Sequence, residues 1–319
     1  MKKWVLITSE IPTAAFQKLS KRFQVTWNKH RLNEKQLIQK VGPFHGLLTS
    51  LADPITEKVF QAAPQLECVA NYAVGYNNID LATAKKNGIW VTNTPDVLTE
   101  ATADLTWALI LSCARRVPEG ERLVRSGKFK GVHALMLLGR ELVGKTLGVY
   151  GFGRIGKAVA WRGRGWNMKV LYHQRKRESV SVEKRYNARY VPFETLVQHS
   201  DILSVNSPLT PETRHRFTRR EFKQMKKTAI FVNTGRGPIH QEKDLAEALR
   251  KAWIFSAGLD VYEHEPKIDK GLLKRSNCTL LPHIGSANVE TRDRMALLAA
   301  ENIERVLTGR KPTTPVFQL

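Results

Sequence analysis

The fold turns on Thr146-Leu-Gly-Val-Tyr150 followed by Gly151-Phe-Gly153-Arg-Ile-Gly156 and Lys157-Ala-Val-Ala-Trp161. A short apolar run leads into three glycines spaced GxGxxG, and residues with helical spacing follow through Trp166. Glycines alone would say little, because they cluster in turns for steric reasons. A strand before them and a helix after them make the spacing a dinucleotide-binding pattern. Gly151 permits a tight turn, Gly153 lets the backbone approach a pyrophosphate, and Gly156 allows the helix to lie close on the strand. The phosphates would sit over the helix N-terminus, with Arg154 and Ile155 in the same turn.

On either side of this stretch, apolar runs alternate with amphipathic segments. Upstream the strand candidates are Trp4 to Ile7, Phe23 to Trp27, Gly46 to Leu48, Glu67 to Ala70 and Ile89 to Val91. Asp53-Pro54 and Asp80 stand as start signals before the helical stretches Ile55 to Ala62 and Leu81 to Lys86. Downstream come Lys169 to Tyr172, Ile202 to Val205, Ala229 to Val232, Ser256 to Asp260 and Thr279 to Leu281. This alternation predicts two α/β units with parallel sheets. Leu98 to Cys113, with Asp96 or Thr99 as N-cap, is apolar nearly all round and is expected to be a helix buried between the units. Ala287 to Leu307 places Met295, Ala299, Ile303, Val306 and Leu307 on one face and stops at Gly309. If that helix packs on the N-terminal unit, the expected organisation is 1–97, an inserted 98–283, and a return over 284–319.

Composition narrows the class. The chain has 319 residues, 42% apolar and 25% charged, which argues against disordered, collagen-like and membrane proteins. No stretch reaches the roughly 18 apolar residues of a membrane span, so a cytoplasmic location is expected. Cys68, Cys113 and Cys278 lack metal-ligand spacing and read as reduced core thiols, and no metal site is expected. Lys and Arg number 51 against 29 Asp and Glu, a formal charge of +22. The segments 1–97, 98–283 and 284–319 carry +5, +16 and +1. A basic middle segment suggests an anionic ligand there or a nucleic-acid surface. No nucleic-acid module is recognisable, and Lys and Arg on helices such as Arg214 to Lys227 are ordinarily a solvated face.

The end of the strand after the glycine turn discriminates between dinucleotides, since an acid there would bind the ribose 2′-OH of NAD. Lys157 through Arg177 contains no acid, and the strand runs out in Tyr172-His173-Gln174-Arg175-Lys176-Arg177. Three consecutive cations suit the 2′-phosphate of NADP, with Gln174 alongside and Arg175 able to grip it bidentately. NADPH is therefore the expected cofactor, with NAD the possible second. A solvated basic loop is the plain alternative.

Five further segments carry a resemblance. Asn71-Tyr-Ala-Val-Gly75-Tyr-Asn-Asn-Ile-Asp80, Val91-Thr-Asn-Thr-Pro95 with its continuation to Asp104, Asn233-Thr-Gly-Arg-Gly237, Ala257-Gly-Leu-Asp260 and Pro282-His-Ile-Gly-Ser286 resemble the D-isomer-specific 2-hydroxyacid dehydrogenases, nearest to the glyoxylate/hydroxypyruvate reductases. The resemblance implies two Rossmann-like domains, a discontinuous flavodoxin-like substrate domain wrapped around an inserted NAD(P)-binding domain. It also implies reduction of a small 2-oxo acid.

Such a reaction needs a cation for the carboxylate and carbonyl, a proton donor and a hydride source. Arg236 lies just past a strand, where ligands of open α/β sheets bind, and its flanking glycines expose it. An Arg in a loop is ordinarily a solvated charge, and the family motif reverses that preference. His283 follows the last strand and is assigned as the acid of reduction, although a lone His more often caps or packs. By resemblance Glu265 pairs with it and favours its imidazolium form. Glu263 competes for that role on spacing alone. The turn Ala73-Val74-Gly75 is able to offer N–H groups to a carboxylate. The resemblance adds Leu51 and Ser286 to the pocket and places Thr99, Ser207, Pro208, Thr234, Gly235 and Asp260, with Val74 and Ser286, near the cofactor. The strand-end position of Asp260 favours the nicotinamide side.

One segment departs from the family. Relatives usually carry tryptophans between the sequence resembling Arg125-Ser-Gly-Lys128 and the glycine turn, one of them reaching a pocket across a dimer interface. Phe129 to Gly139 holds no Trp, and Met136 and Leu137 are the candidates to fill that space. A homodimer remains implied. Transcriptional corepressors of the same superfamily retain the Arg, Glu and His but typically extend in long tails, whereas this sequence ends at Leu319. A reductase is thus expected over a dinucleotide-sensing binding protein, and a 2-ketogluconate or other D-2-hydroxyacid dehydrogenase is the nearer alternative.

Overall fold

Five parallel strands, β1 (Trp4–Ile7), β2 (Gln24–Trp27), β3 (Gly46–Ser50), β4 (Cys68–Tyr72) and β5 (Trp90–Thr92), form one sheet in the order β2-β1-β3-β4-β5. The computed structural model describes residues 2–319. This sheet belongs to a unit that ends at Leu98 and resumes over Ser286–Leu319. Its order is that of the flavodoxin-type doubly wound sheet. The inner strands are apolar along their length because helices cover both faces: Val5, Leu6, Ile7, Leu47 and Val69 are fully buried. Asp80 caps its helix by accepting the Thr83 N–H, as its position predicts. The helix Val289–Leu307 packs on the helix Thr13–Ser20 and on β3 and β4, burying Met295, Ala299, Ile303, Val306 and Leu307.

The second unit, Thr99–Gly285, holds seven parallel strands: β6 (Thr146–Tyr150), β7 (Lys169–His173), β8 (Ala188–Tyr190), β9 (Ile202–Val205), β10 (Ile230–Asn233), β11 (Ser256–Leu259) and β12 (Cys278–Leu280). Their order is β12-β11-β10-β9-β6-β7-β8. The first strand of the unit lies inside the sheet and the chain winds outward in both directions, so the order reverses between β6 and β9, where ligands of such sheets bind. Ile284 and Gly285 stay with this unit, and the Ile284 N–H donates to Asp260 at 2.8 Å.

Three features differ from expectation. β8 has no counterpart in the apolar pattern, because it is a three-residue edge strand with Arg189 exposed. The helix Thr99–Arg115 is not buried all round. It packs on the helix Arg154–Gly163 and on β10 to β12, while Asp104, Ala108 and Leu111 are exposed, and Glu100 and Asp104 pair with Arg162. Of Arg214 to Lys227 only Arg219–Gln224 is helical. Thr218 and Glu221 form a capping box there, and the chain before it pairs instead with the segment after Arg236, Phe217 bridging to His240. The three cysteines are free and buried. Among the described residues no helix is long and apolar enough to cross a membrane.

Candidate active site at the strand ends

The glycine turn joins β6 to the helix Arg154–Gly163, and each glycine meets a different constraint. Gly151 has φ +93°, and a Cβ there would stand 2.6 Å from the Ser207 amide nitrogen. A Cβ on Gly156 would lie 2.1 Å from the Gly151 carbonyl oxygen, so helix and turn touch backbone to backbone. Gly153 is the opposite case. Nothing lies within 4 Å of a Cβ built there, although it is the N-cap of a helix with no side-chain cap. Space and unsatisfied N–H groups coincide where a pyrophosphate would lie. Beside Gly151, Ser207 is buried and its Oγ has no partner. An open cradle next to an orphaned hydroxyl fits a dinucleotide.

At the end of β7, Gln174 is built into this turn. Its Oε1 accepts the Phe152 N–H at 3.0 Å and its Nε2 donates to the Lys176 carbonyl at 2.8 Å and to Glu178 at 3.1 Å. Arg175 and Lys176 are exposed beyond it. Arg177 corrects the expectation of three free cations, because its Nε and Nη2 meet both oxygens of Glu183 at 2.8 and 2.7 Å. Those bonds, with one from the Tyr172 hydroxyl, hold the Glu183 carboxyl down at about 2. Arg177 is committed to the fold, which leaves Arg175 and Lys176 for an anion.

Arg236 follows β10 in a turn organised by Asn233. The Asn233 Nδ2 donates to the Arg236 carbonyl at 2.9 Å and lies 3.0 Å from His240 Nδ1, and its Oδ1 accepts the Gly235 N–H at 2.9 Å. Thr234 is buried, its hydroxyl 2.8 Å from that of Thr106. Burial lowers the proton affinity of Arg236 while the charge of Glu265 raises it. Glu265 accepts the Tyr262 N–H at 3.0 Å through Oε1 and meets His283 Nδ1 at 2.8 Å through Oε2. Burial pushes its pKa up, but the bond and charge of His283, the Tyr262 N–H and Arg236 together hold it below the usual carboxylate value. Asp260 is buried beside them, and desolvation raises its pKa against the pull of the Ile284 and Gly285 N–H groups and of His283.

The competition between Glu263 and Glu265 is resolved by geometry. Glu263 turns away to His215, Oε1 to Nε2 at 2.6 Å, and its Oε2 accepts the Glu242 N–H at 3.1 Å. Sequence reasoning named Asn233 only as the start of a motif and gave it no role, and it did not single out His215 or His240, whose only signal was their nearness in sequence to charge or glycine.

Leu51, Val74, Gly75 and Ser286 belong to the first unit. Leu51 follows β3 and Val74 and Gly75 follow β4, so these three share the carboxyl edge of that sheet. Asn71 Nδ2 donates to the Gly75 carbonyl and Asn93 Nδ2 to the Val74 carbonyl, both at 2.8 Å, which fixes this turn. Asn78 ties it to the β3 end through the carbonyls of Ser50 and Asp53 at 3.1 and 3.0 Å.

A profile for the D-isomer specific 2-hydroxyacid dehydrogenase, NAD binding domain, matches residues 107–285. The chain is 45% identical over 322 residues to a glyoxylate reductase of Thermococcus onnurineus, across 99% of this chain and 96% of that one. A glyoxylate reductase of Aeropyrum pernix is 47% identical over 315 residues, across 97% and 94%. Among solved structures, a Thermus thermophilus protein superposes with a TM-score of 0.92 at 42% identity, covering 98% of this chain and 100% of its own. An NADPH-dependent glyoxylate/hydroxypyruvate reductase of Sinorhizobium meliloti, solved with NADP and malonate, gives 0.88 at 31% identity, covering 99% and 97%.

Proposed function

The chain belongs to the D-isomer-specific 2-hydroxyacid dehydrogenase family of NAD(P)-dependent oxidoreductases, and from that membership we propose that it reduces glyoxylate, hydroxypyruvate or a similar small 2-oxo acid to the D-2-hydroxy acid, with NADPH preferred. The observation that carries the reading is the 2.8 Å pairing of His283 with Glu265 in one cluster with the Arg236 charge. Relatives named glyoxylate reductases, at full length, support the substrate class.

When bound, the reduced nicotinamide supplies the hydride that the carbonyl carbon accepts. Thr99–Gly285 would hold it, with Gly151, Gly153, Arg154, Ile155 and Gly156 at the pyrophosphate and Ser207, Pro208, Thr234, Gly235 and Asp260 toward the nicotinamide. Arg236 grips the carboxylate and polarises the carbonyl as negative charge develops on its oxygen. His283 presents Nδ1 to Glu265, which as a carboxylate only accepts, so Nε2 is the nitrogen left to give its proton to that oxygen. Glu265 holds the His283 ring in place for that transfer. By resemblance to the family, Leu51, Val74, Gly75 and Ser286 would contact the substrate. NADPH preference rests on Arg175 and Lys176, exposed past the end of β7 in a stretch, Lys157 through Arg177, that contains no acid. Association as a homodimer completes the reading.

Steady-state assays with glyoxylate, hydroxypyruvate, pyruvate, phenylpyruvate and 2-ketogluconate, each with NADPH and NADH, test it. The expected result is a higher kcat/KM with NADPH and a loss of about 10²–10⁴-fold in kcat for His283→Ala. Equal efficiency with NADH removes the cofactor preference, and unchanged turnover in the variant removes the mechanism.

A further inference from the structure

His215 lies between the two turns that carry the reactive residues. Its backbone N–H donates to the Pro238 carbonyl at 2.7 Å, in the turn that begins at Arg236. Its side chain reaches the other turn, Nε2 standing 2.6 Å from Glu263 Oε1, two residues before Glu265. The turns also abut directly, since a Cβ on Gly237 would lie 1.9 Å from the Tyr262 carbonyl carbon. Glu263 is held from a third side as well: Glu242 N–H donates to its Oε2 at 3.1 Å, and its own N–H donates back to Glu242 Oε1 at 2.5 Å. The Asp269 N–H donates to the remaining oxygen of Glu242 at 2.7 Å. Finally, His215 has φ +49°, a left-handed conformation that is unfavourable for a non-glycine residue and persists where the surroundings impose it.

We propose that His215 is a positioning residue that, through Glu263, fixes the turn bearing Glu265 against the turn bearing Arg236 and so sets the pairing of Glu265 with His283. The proposal rests on the reading of Arg236, Glu265 and His283 given above. His215 itself touches neither Glu265 nor His283. Its effect passes through four residues of chain, Tyr262 to Glu265, closed into a turn by the bond from Tyr262 N–H to Glu265. The groups facing Glu263 are His215, Glu242 and the buried His240, and those facing Glu265 are His283, Arg236 and Asp260. Freed from His215, the turn lets Glu265 drift from His283, and the imidazole loses the hydrogen bond that aims its ring. Proton transfer slows when the ring is misaimed, so kcat should fall more than the KM for the oxo acid rises.

The test compares His215→Ala, His215→Gln and Glu263→Gln with His283→Ala, using glyoxylate and NADPH. Gln at 215 places an amide nitrogen near the position of Nε2 and keeps the bond to Glu263. For His215→Ala and Glu263→Gln we expect kcat for glyoxylate to fall about tenfold with little change in KM, and NADPH affinity by fluorescence titration to stay unchanged. His215→Gln should recover most of the loss. A kcat unmoved in both His215→Ala and Glu263→Gln, with His283→Ala inactive, overturns the proposal and leaves the reading of the site intact. Retained turnover in His283→Ala overturns that reading itself. If His215→Ala does not fold, Glu263→Gln and His215→Gln carry the comparison, and a change confined to melting temperature counts against the proposal.

Discussion

His240 is fully buried, packed edge-on to Phe231, with Nδ1 against Asn233 and Nε2 without a partner. Burial drives its pKa down to about 4 from an ordinary value of 6.5, the nearby charge of Glu263 opposing and that of His215 assisting. An unfolded chain protonates this His between pH 6.5 and about 4 while the folded protein does not, so the group subtracts stability as pH falls through that window. The subtraction reaches up to about 3 kcal/mol near pH 4. His240→Gln, which retains an acceptor for Asn233, should therefore lose less melting temperature than the parent between pH 7.5 and 4.5; an identical drop in the two proteins refutes the argument. His240 also shows what single residues conceal. Its neighbour Arg236 is legible because flanking glycines and the family motif Asn233-Thr-Gly-Arg-Gly237 outweigh the ordinary reading of a loop Arg as a solvated charge. A buried His on an apolar face looks in sequence like any packing residue. Glu263 and Glu265 are equally ambiguous, since spacing cannot tell which of two carboxylates two residues apart faces His283 and which faces His215. Only the turn that Tyr262 closes decides it.

Regular elements were far easier to read, and for a physical reason. Strands of a parallel sheet covered on both faces must be apolar along their whole length, so β1, β6 and β9 stand out in the sequence at their observed bounds. β8 escapes the same test because an edge strand with an exposed Arg189 buries too little to leave a pattern. The charged stretch Lys169 to Arg177 was only partly legible. The absence of an acid was visible, but the capture of Arg177 by Glu183 depends on a helix eleven residues from Tyr172 folding back on β7. The glycine turn yields a prediction in which fold and function separate. Gly156→Ala would drive a Cβ into the Gly151 carbonyl and should destabilise the protein. Gly153→Ala meets nothing within 4 Å, so its melting temperature should stay within about 2 °C of the parent while NADPH affinity falls by about tenfold or more. Tight NADPH binding by Gly153→Ala would mean that the open space at this helix N-terminus is not where the pyrophosphate lies.

For the molecule as a whole, the +22 charge has an explanation only in part. Arg175, Lys176 and Arg236 fall where an anionic cofactor and substrate would need them, whereas Arg162, Arg177 and Lys226 are paired with acids and serve the fold. The apolar surface is more informative. The helix Val117–Arg125 buries none of its residues, and Val117 and Val124 are 53% and 61% exposed. After it, Val132, Leu135 and Leu138 are exposed at 87%, 78% and 57%. A helix of nine residues gains most of its stability by burying an apolar face, and this one touches the helix Thr99–Arg115 yet leaves Val117 and Val124 exposed. Together with the following segment it makes a contiguous stretch of sequence that leaves these five hydrophobic side chains exposed. A second copy of the chain, paired through the same surface, would remove that cost, and a two-fold pairing closes without leaving a further sticky face. Sedimentation should therefore give twice the mass of one chain, and Leu135→Asp combined with Leu138→Asp should shift the protein to monomer at micromolar concentration, because a buried unpaired carboxylate costs several kcal/mol. Dimerisation driven by apolar burial should persist at high salt, which separates it from association through the basic surface. A monomeric parent protein, or a dimer indifferent to both substitutions, would leave the exposed helix and its following segment without this partner.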